Sequence, residues 1–173
     1  MPGMHPTVLL TSTDLHDRVR ALGASLAKDL AGRNALILGL LDGACMFTAD
    51  LVRAIPLPDL ELRFVRAASY AGTVSTGSVA LAALPVVTGR HVVVVDDILD
   101  TGRTLATVVA ALNHAGAASV LTCVLLDKPT RRVAAGLAHA DLVGFTIADH
   151  FVVGYGLDHD GRWRQLPDVC VLA

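Results

Sequence analysis

Chemistry concentrates in one short run, Asp96-Asp97-Ile98-Leu99-Asp100-Thr101-Gly102-Arg103-Thr104, which directly follows four valines, Val92 to Val95. Gly102 lets backbone amides turn towards an anion with no side chain in the way. Thr101 and Thr104 add hydroxyl donors. A helix starting after the glycine adds the positive end of its dipole, so the turn can cradle a phosphate. Asp96 and Asp97 would repel a phosphate; they suit ribose hydroxyls or the water shell of a magnesium ion. Phosphate donors beside sugar-binding carboxylates describe a ribose 5-phosphate site. A P-loop is excluded because it needs glycine where Asp97 stands, and the dinucleotide pattern GxGxxG is absent. The plainer alternative is a strand–turn–helix junction whose acids cap the helix, but the complete block with its valine strand favours a ligand site.

Such a turn needs a buried strand before it and a helix after it, and the surrounding sequence supplies both. Leu15, Val19, Leu22, Leu26 and Leu30 recur at steps of three and four, which predicts a helix ending near Gly32. Ala35 to Leu41 is a continuous apolar run, as in a strand covered on both faces. A turn at Gly43 leads to a helix from Met46 to Ile55, stopped by Pro56 and Pro58. Leu60, Leu62 and Phe64 alternate with Glu61, Arg63 and Val65, which predicts a half-exposed strand. Ala68 to Ser78 is too poor in apolar side chains to hold itself still. His91 to Val95 and Val120 to Leu126 are buried strands, with a helix through Leu105, Val108, Val109 and Leu112 between them. This alternation implies an α/β protein with a mainly parallel sheet between helices, and ligands bind at the carboxyl ends of such strands.

The bulk properties agree with a folded, soluble protein. The chain has 173 residues, 53% of them hydrophobic and 4% aromatic, a length that suits one domain. Mean hydropathy is +0.57, yet acids interrupt every apolar run before the roughly 18 residues a spanning helix needs, so no membrane partner is expected. Residues 1–10 lack the pattern of a secretory signal, and a cytoplasmic location is expected. The 14 Lys+Arg and 16 Asp+Glu give a formal charge of −2, without the basic excess of a nucleic-acid binder. Cys45, Cys123 and Cys170 form no CxxC and are expected to be reduced thiols. The seven histidines show no zinc spacing.

The Val92–Leu105 block resembles the phosphoribosyl-pyrophosphate signature of type I phosphoribosyltransferases. Leu40 to Phe47, with Ala49-Asp50-Leu51, is similar to the pyrophosphate loop of the hypoxanthine–guanine branch and the helix after it. Ser69-Tyr70 is similar to the start of its mobile loop. Leu126 to Arg132 and Phe151 to Asp158 resemble its purine-site segments, and Arg162 to Pro167 its closing element. These segments follow the family's order across nearly the whole chain.

The resemblance implies the type I phosphoribosyltransferase fold over residues 1–173 as a single domain. A small hood would come from the N-terminal residues and the region after about 145. It implies attack by a purine nitrogen on C1 of phosphoribosyl pyrophosphate, with magnesium as cofactor and hypoxanthine or guanine as acceptor. Asp100 would accept the purine proton. Asp96, Asp97, Asp100, Thr101, Gly102, Arg103 and Thr104 would hold the ribose phosphate. Asp42, Gly43, Arg132 and Arg164 would bind pyrophosphate. Ser69 and Tyr70 would close over the reaction. Lys128 would recognise the 6-oxo group, Phe151 would stack on the base, Val152 would offer backbone groups to its edge, and Asp158 would stand beside it. Asp96, Asp97 and Asp158 would lie near magnesium. The family also implies a homodimer or homotetramer, and a non-proline cis peptide in the Asp42 loop.

Three positions depart from the family's pattern. Asp96 stands where glutamate is more common, and Arg103 where lysine is frequent. Asp42 stands where many relatives carry a cation, so its carboxylate is expected to repel pyrophosphate, leaving the backbone amides of Asp42 to Ala44 to bind it. A xanthine or purine-analogue transferase remains an alternative. So does a regulator that kept the fold but binds nucleic acid, although Asp100, Lys128, Phe151 and the net charge speak against it.

Overall fold

The computed structural model describes residues 5–69, 79–81 and 83–172. Helix α1 (Ser12–Leu30) follows strand β1 (Pro6–Leu10). Thr11 caps it: its hydroxyl accepts from the Asp14 amide at 3.2 Å, while the Asp14 carboxylate accepts from the Thr11 amide at 3.2 Å. This reciprocal pairing satisfies two otherwise orphaned donors. Leu15, Val19, Leu22, Leu26 and Leu30 are all buried, and each such leucine contributes about 1.5–3 kcal/mol through burial.

Strand β2 (Ala35–Leu41) matches the expected span, and α2 (Cys45–Arg53) ends two residues short of the predicted Ile55. Strand β3 (Glu61–Ser69) departs from simple alternation. Val65 is buried at 3% exposure, whereas Phe64 is 38% exposed. The reason lies in the layers: Val65 packs with Leu36, Leu38 and Val94 on one face of the sheet, while Phe64 lies over Gly39 at its margin. The short β4 (Val79–Leu81) pairs antiparallel with β3, with Ser69 opposite Val79.

Strand β5 (His91–Leu99) is longer than the valine run, so Asp96 and Asp97 stand within the strand rather than beyond it. Then come α3 (Arg103–His114), β6 (Ser119–Asp127), a 3-10 turn at Pro129–Arg131, β7 (Leu142–Thr146), β8 (Val152–Val153) and β9 (Val169–Leu172).

The main sheet has the order β4-β3-β2-β5-β6-β7; β3, β2, β5, β6 and β7 are parallel. Helices α1 and α2 cover one face, packing Leu26, Phe47 and Leu51 on Ile37, Val93 and Val95. Helix α3 covers the other, packing Leu105, Val108 and Leu112 on Val92 and Val94. A second, antiparallel sheet, β1-β9-β8, joins the early strand to the late ones and forms the hood. From β2 the chain crosses through α2 to β3 on one side. From β5 it crosses through α3 to β6 on the other. The switch in direction therefore falls between β2 and β5, where a doubly wound sheet opens a crevice for ligands. The peptide bond between Leu41 and Asp42, at the mouth of that crevice, is cis. Among the described residues no helix is long and apolar enough to cross a membrane.

Candidate active site

Two adjoining clefts open at the carboxyl ends of these strands and share Asp97, Ile98 and Asp158. The first, about 530 Å³, is lined by Asp42, Gly43, Arg66, Asp96, Thr104 and Arg164 besides the shared residues. The second, about 540 Å³, is lined by Asp100, Lys128, Arg131, Asp149, Phe151 and Val152. Most of the residues singled out from sequence therefore meet in one place.

Close backbone packing builds the first cleft. A Cβ on Gly43 would collide with the Asp97 carboxylate, and one on Gly156 with the Gly43 carbonyl; both positions need glycine for the loops to approach. Arg164 donates to the Gly156 carbonyl at 2.6 Å and pairs with Asp158 at 2.8 Å. Asp158 also accepts from the Gly161 amide at 2.7 Å, so the segment 158–161 is a turn, with one carboxylate oxygen directed at Arg164.

Asp96 and Asp97 are electrostatically undercompensated. Burial and the charge of Asp97 push the Asp96 carboxyl well above its usual range. Burial also raises Asp97, against the backbone amide of Ile98, a hydrogen bond from Asp96 and the charge of Arg164. Two neighbouring acids in this state attract hydroxyl donors or a hydrated cation. Among the described residues no three acid, histidine or cysteine groups converge tightly enough to cage a metal. The donor set instead suits a magnesium ion that takes one or two carboxylates, with substrate oxygens and water completing its shell.

The turn after β5 is braced from outside. Gly102 has φ +80° and is the N-cap of α3; the Arg103 amide donates weakly to the Thr101 hydroxyl at 3.4 Å, and the other first-turn amides remain available to an anion. Its carbonyl accepts from the Leu137 amide at 2.9 Å, and the Thr101 carbonyl from Val133 at 3.3 Å. A Cβ at Gly102 would strike the Leu137 backbone. Arg132, expected on the pyrophosphate side, lines neither cleft. Its guanidinium is committed to the Asp127 carboxylate and the carbonyls of Leu99, Asp100, Lys128 and Ala138. All three of its nitrogens are engaged in holding β5, β6 and the turn together, which corrects that expectation.

In the second cleft Lys128 is 8% exposed. Its ammonium donates to the His150 carbonyl at 2.6 Å and lies 3.7 Å from Asp149. Asp100 accepts from Arg131 Nε at 3.0 Å, and Arg131 also reaches Asp149 at 3.6 Å. The Asp100 pairing holds the Arg131 guanidinium above its ordinary pKa. Phe151 is 54% exposed and meets His159 edge-on, with centroids 5.3 Å apart; an aromatic face left open on a cleft wall can stack on a flat ligand. Val152 is buried in β8. Ser69 ends β3, and Tyr70 lies outside the described residues.

Sequence reading missed Arg66, Arg131 and Asp149. Arg66 pairs in bidentate fashion with Asp42, at 2.8 and 3.1 Å, so Asp42 is a compensated carboxylate and not a bare one. The signal was faint: each of the three looks alone like a solvated surface charge, and Arg66 is 24 positions from its partner.

An acid pair in a central strand, a glycine turn into a helix, and a second cleft with a buried lysine and an open aromatic ring form one candidate site. Comparison with known proteins agrees. The model for the phosphoribosyl transferase domain matches residues 9–160, and the chain belongs to that family. It is 40% identical to the hypoxanthine-guanine phosphoribosyltransferase of Streptococcus pneumoniae over 168 residues, 95% of this chain and 92% of that protein. It is 42% identical, again over 95% of its length, to the bifunctional protein TilS/HprT of Listeria innocua, of which it spans only 26%. The crystal structure of a hypoxanthine phosphoribosyltransferase from Staphylococcus aureus superposes with a TM-score of 0.89 at 38% identity, covering 96% of this chain and 90% of that one.

Proposed function

We propose that the protein transfers the 5-phosphoribosyl group of phosphoribosyl pyrophosphate to hypoxanthine or guanine, in purine salvage. The observation that carries this reading is the placement of Asp100 and Lys128 in one cleft, which shares Asp97 and Asp158 with the cleft holding Asp96 and Thr104. A base in the second cleft and a ribose in the first would meet above Asp97.

In the reaction a purine ring nitrogen forms a bond to ribose C1 as the bond from C1 to pyrophosphate breaks, and the bonding pair leaves with the pyrophosphate oxygen. The purine loses a ring proton, for which Asp100 is the acceptor; Arg131 must yield its hold on that carboxylate as the base enters. Lys128 donates to the 6-oxo oxygen, and a 6-amino group, itself a donor, is refused. Phe151 stacks on the base, and the Val152 backbone and Asp158 border its edge. The Thr101–Thr104 turn, with Arg103, anchors the 5-phosphate, so the reactants are held in line. Asp96, Asp97 and Asp158 suit a magnesium ion shared with the donor, which would supply positive charge to the departing pyrophosphate. Ser69 and Tyr70 would close over the site and exclude water. A cytoplasmic location and a homodimer or homotetramer belong to the same reading.

The test is direct: purified protein with phosphoribosyl pyrophosphate, magnesium and hypoxanthine should form inosine monophosphate. Absence of that product from folded protein would refute the reading.

A further inference from the structure

The cleft that holds Asp96, Asp97 and Thr104 also contains an ion pair between Arg66 and Asp42. Arg66 stands on β3 beside Leu41 of β2, one residue before Asp42. Its guanidinium donates to both Asp42 carboxylate oxygens, at 3.1 and 2.8 Å. Both side chains are open to solvent, 64% for Arg66 and 45% for Asp42, so salt screens the pair, and it faces the space that a donor pyrophosphate would fill.

We propose that Arg66 is a second cation, in addition to Arg164, on the pyrophosphate side of this site and that Asp42 tethers it there. Guanidinium presents five N–H donors in a fixed plane, and two of them serve Asp42. The remaining donors can engage phosphate oxygens, in the fork geometry that suits both carboxylates and phosphates. Asp42 has an opposing effect as well. Its own negative charge weakens the attraction for pyrophosphate, and Arg66 neutralises it. Loss of Arg66 thus removes a cation and exposes an anion, whereas Asp42→Asn removes the opposing charge while its amide oxygen can still accept from Arg66 and hold it in place.

This inference rests on the phosphoribosyl-transfer reading, but it is tested without turnover. Magnesium pyrophosphate is titrated calorimetrically into wild-type protein, Arg66→Gln, Asp42→Asn and the double variant, with thermal unfolding as a check. Arg66→Gln should weaken binding about tenfold or more, the loss of a charge-assisted hydrogen bond. Asp42→Asn should bind as tightly as wild type or a few-fold tighter. The double variant should recover part of the loss, and Arg66→Lys should keep more affinity than Arg66→Gln. A pair that merely braced the loop would give equal losses for the two single variants and no recovery in the double. That result overturns the proposal, as does an Arg66→Gln affinity within twofold of wild type, or wild type that fails to bind. Protein that binds pyrophosphate but forms no nucleotide would refute the proposed reaction and leave the role of Arg66 standing.

Discussion

Replacing Lys128 with methionine removes one ammonium from the base cleft while keeping nearly the same side-chain shape. The ammonium has three donors. One goes to the His150 carbonyl at 2.6 Å, and Asp149 lies 3.7 Å away, which leaves at least one proton for an oxygen at purine C6. A hydrogen bond from a charged donor is worth about 1.5–3 kcal/mol. At about 1.4 kcal/mol per tenfold, its loss lowers kcat/KM for hypoxanthine by roughly 10- to 150-fold. His150 is exposed, so water can replace the lost partner of its carbonyl, and the melting temperature should fall by only about 2–4 °C for each kcal/mol lost in a chain of this length. The assay is steady-state kcat/KM for hypoxanthine and for adenine at saturating donor. The ratio of hypoxanthine to adenine turnover should fall, because refusal of the 6-amino group goes with the ammonium. A loss under about threefold for hypoxanthine, or an unchanged ratio, would refute the assignment of Lys128 to the 6-oxo group.

Three other outcomes follow from the geometry. Asp100→Asn should cut kcat by about 10²–10⁴, the usual range for a lost general base, while the KM for donor stays within a few-fold; stopped-flow or steady-state kinetics will show it. Asp96→Asn should impair activity yet raise stability. The folded-state carboxyl is held above its unfolded value by burial and by Asp97, so the stabilising protonation is fully present below the unfolded pKa and is lost as pH rises through the folded one. The stabilisation by asparagine should accordingly be larger at about pH 7.5 than at about pH 4 in chemical denaturation. Arg132→Met should destabilise by about 3 kcal/mol or more, since it strands Asp127 in a largely buried pair and frees several carbonyls; a loss of activity with no change in the unfolding midpoint would contradict the bracing role.

The β5–turn–α3 unit was legible because a four-valine strand, two acids and a glycine turn each have few other uses, and the resemblance tied them together. The leucine stripe of α1 was equally plain, since its spacing fits one period only. Burial in β3 was not, because both faces of that strand meet packed layers and alternation no longer separates inside from outside. Arg132 shows the limit of matching by position: placement in a motif does not fix where a side chain points, and this one turns inward to backbone carbonyls. Arg66 and Asp42 show another limit. Their pairing arises from the register of β2 against β3, a tertiary fact that neither residue's neighbours reveal.

The identity of the acceptor base decides the assignment most directly. Pyrophosphate release should be followed with phosphoribosyl pyrophosphate and magnesium, offering hypoxanthine, guanine, xanthine and adenine in turn. Rapid release with hypoxanthine or guanine and none with adenine is the predicted result; release with adenine, or with no 6-oxopurine at all, would contradict it.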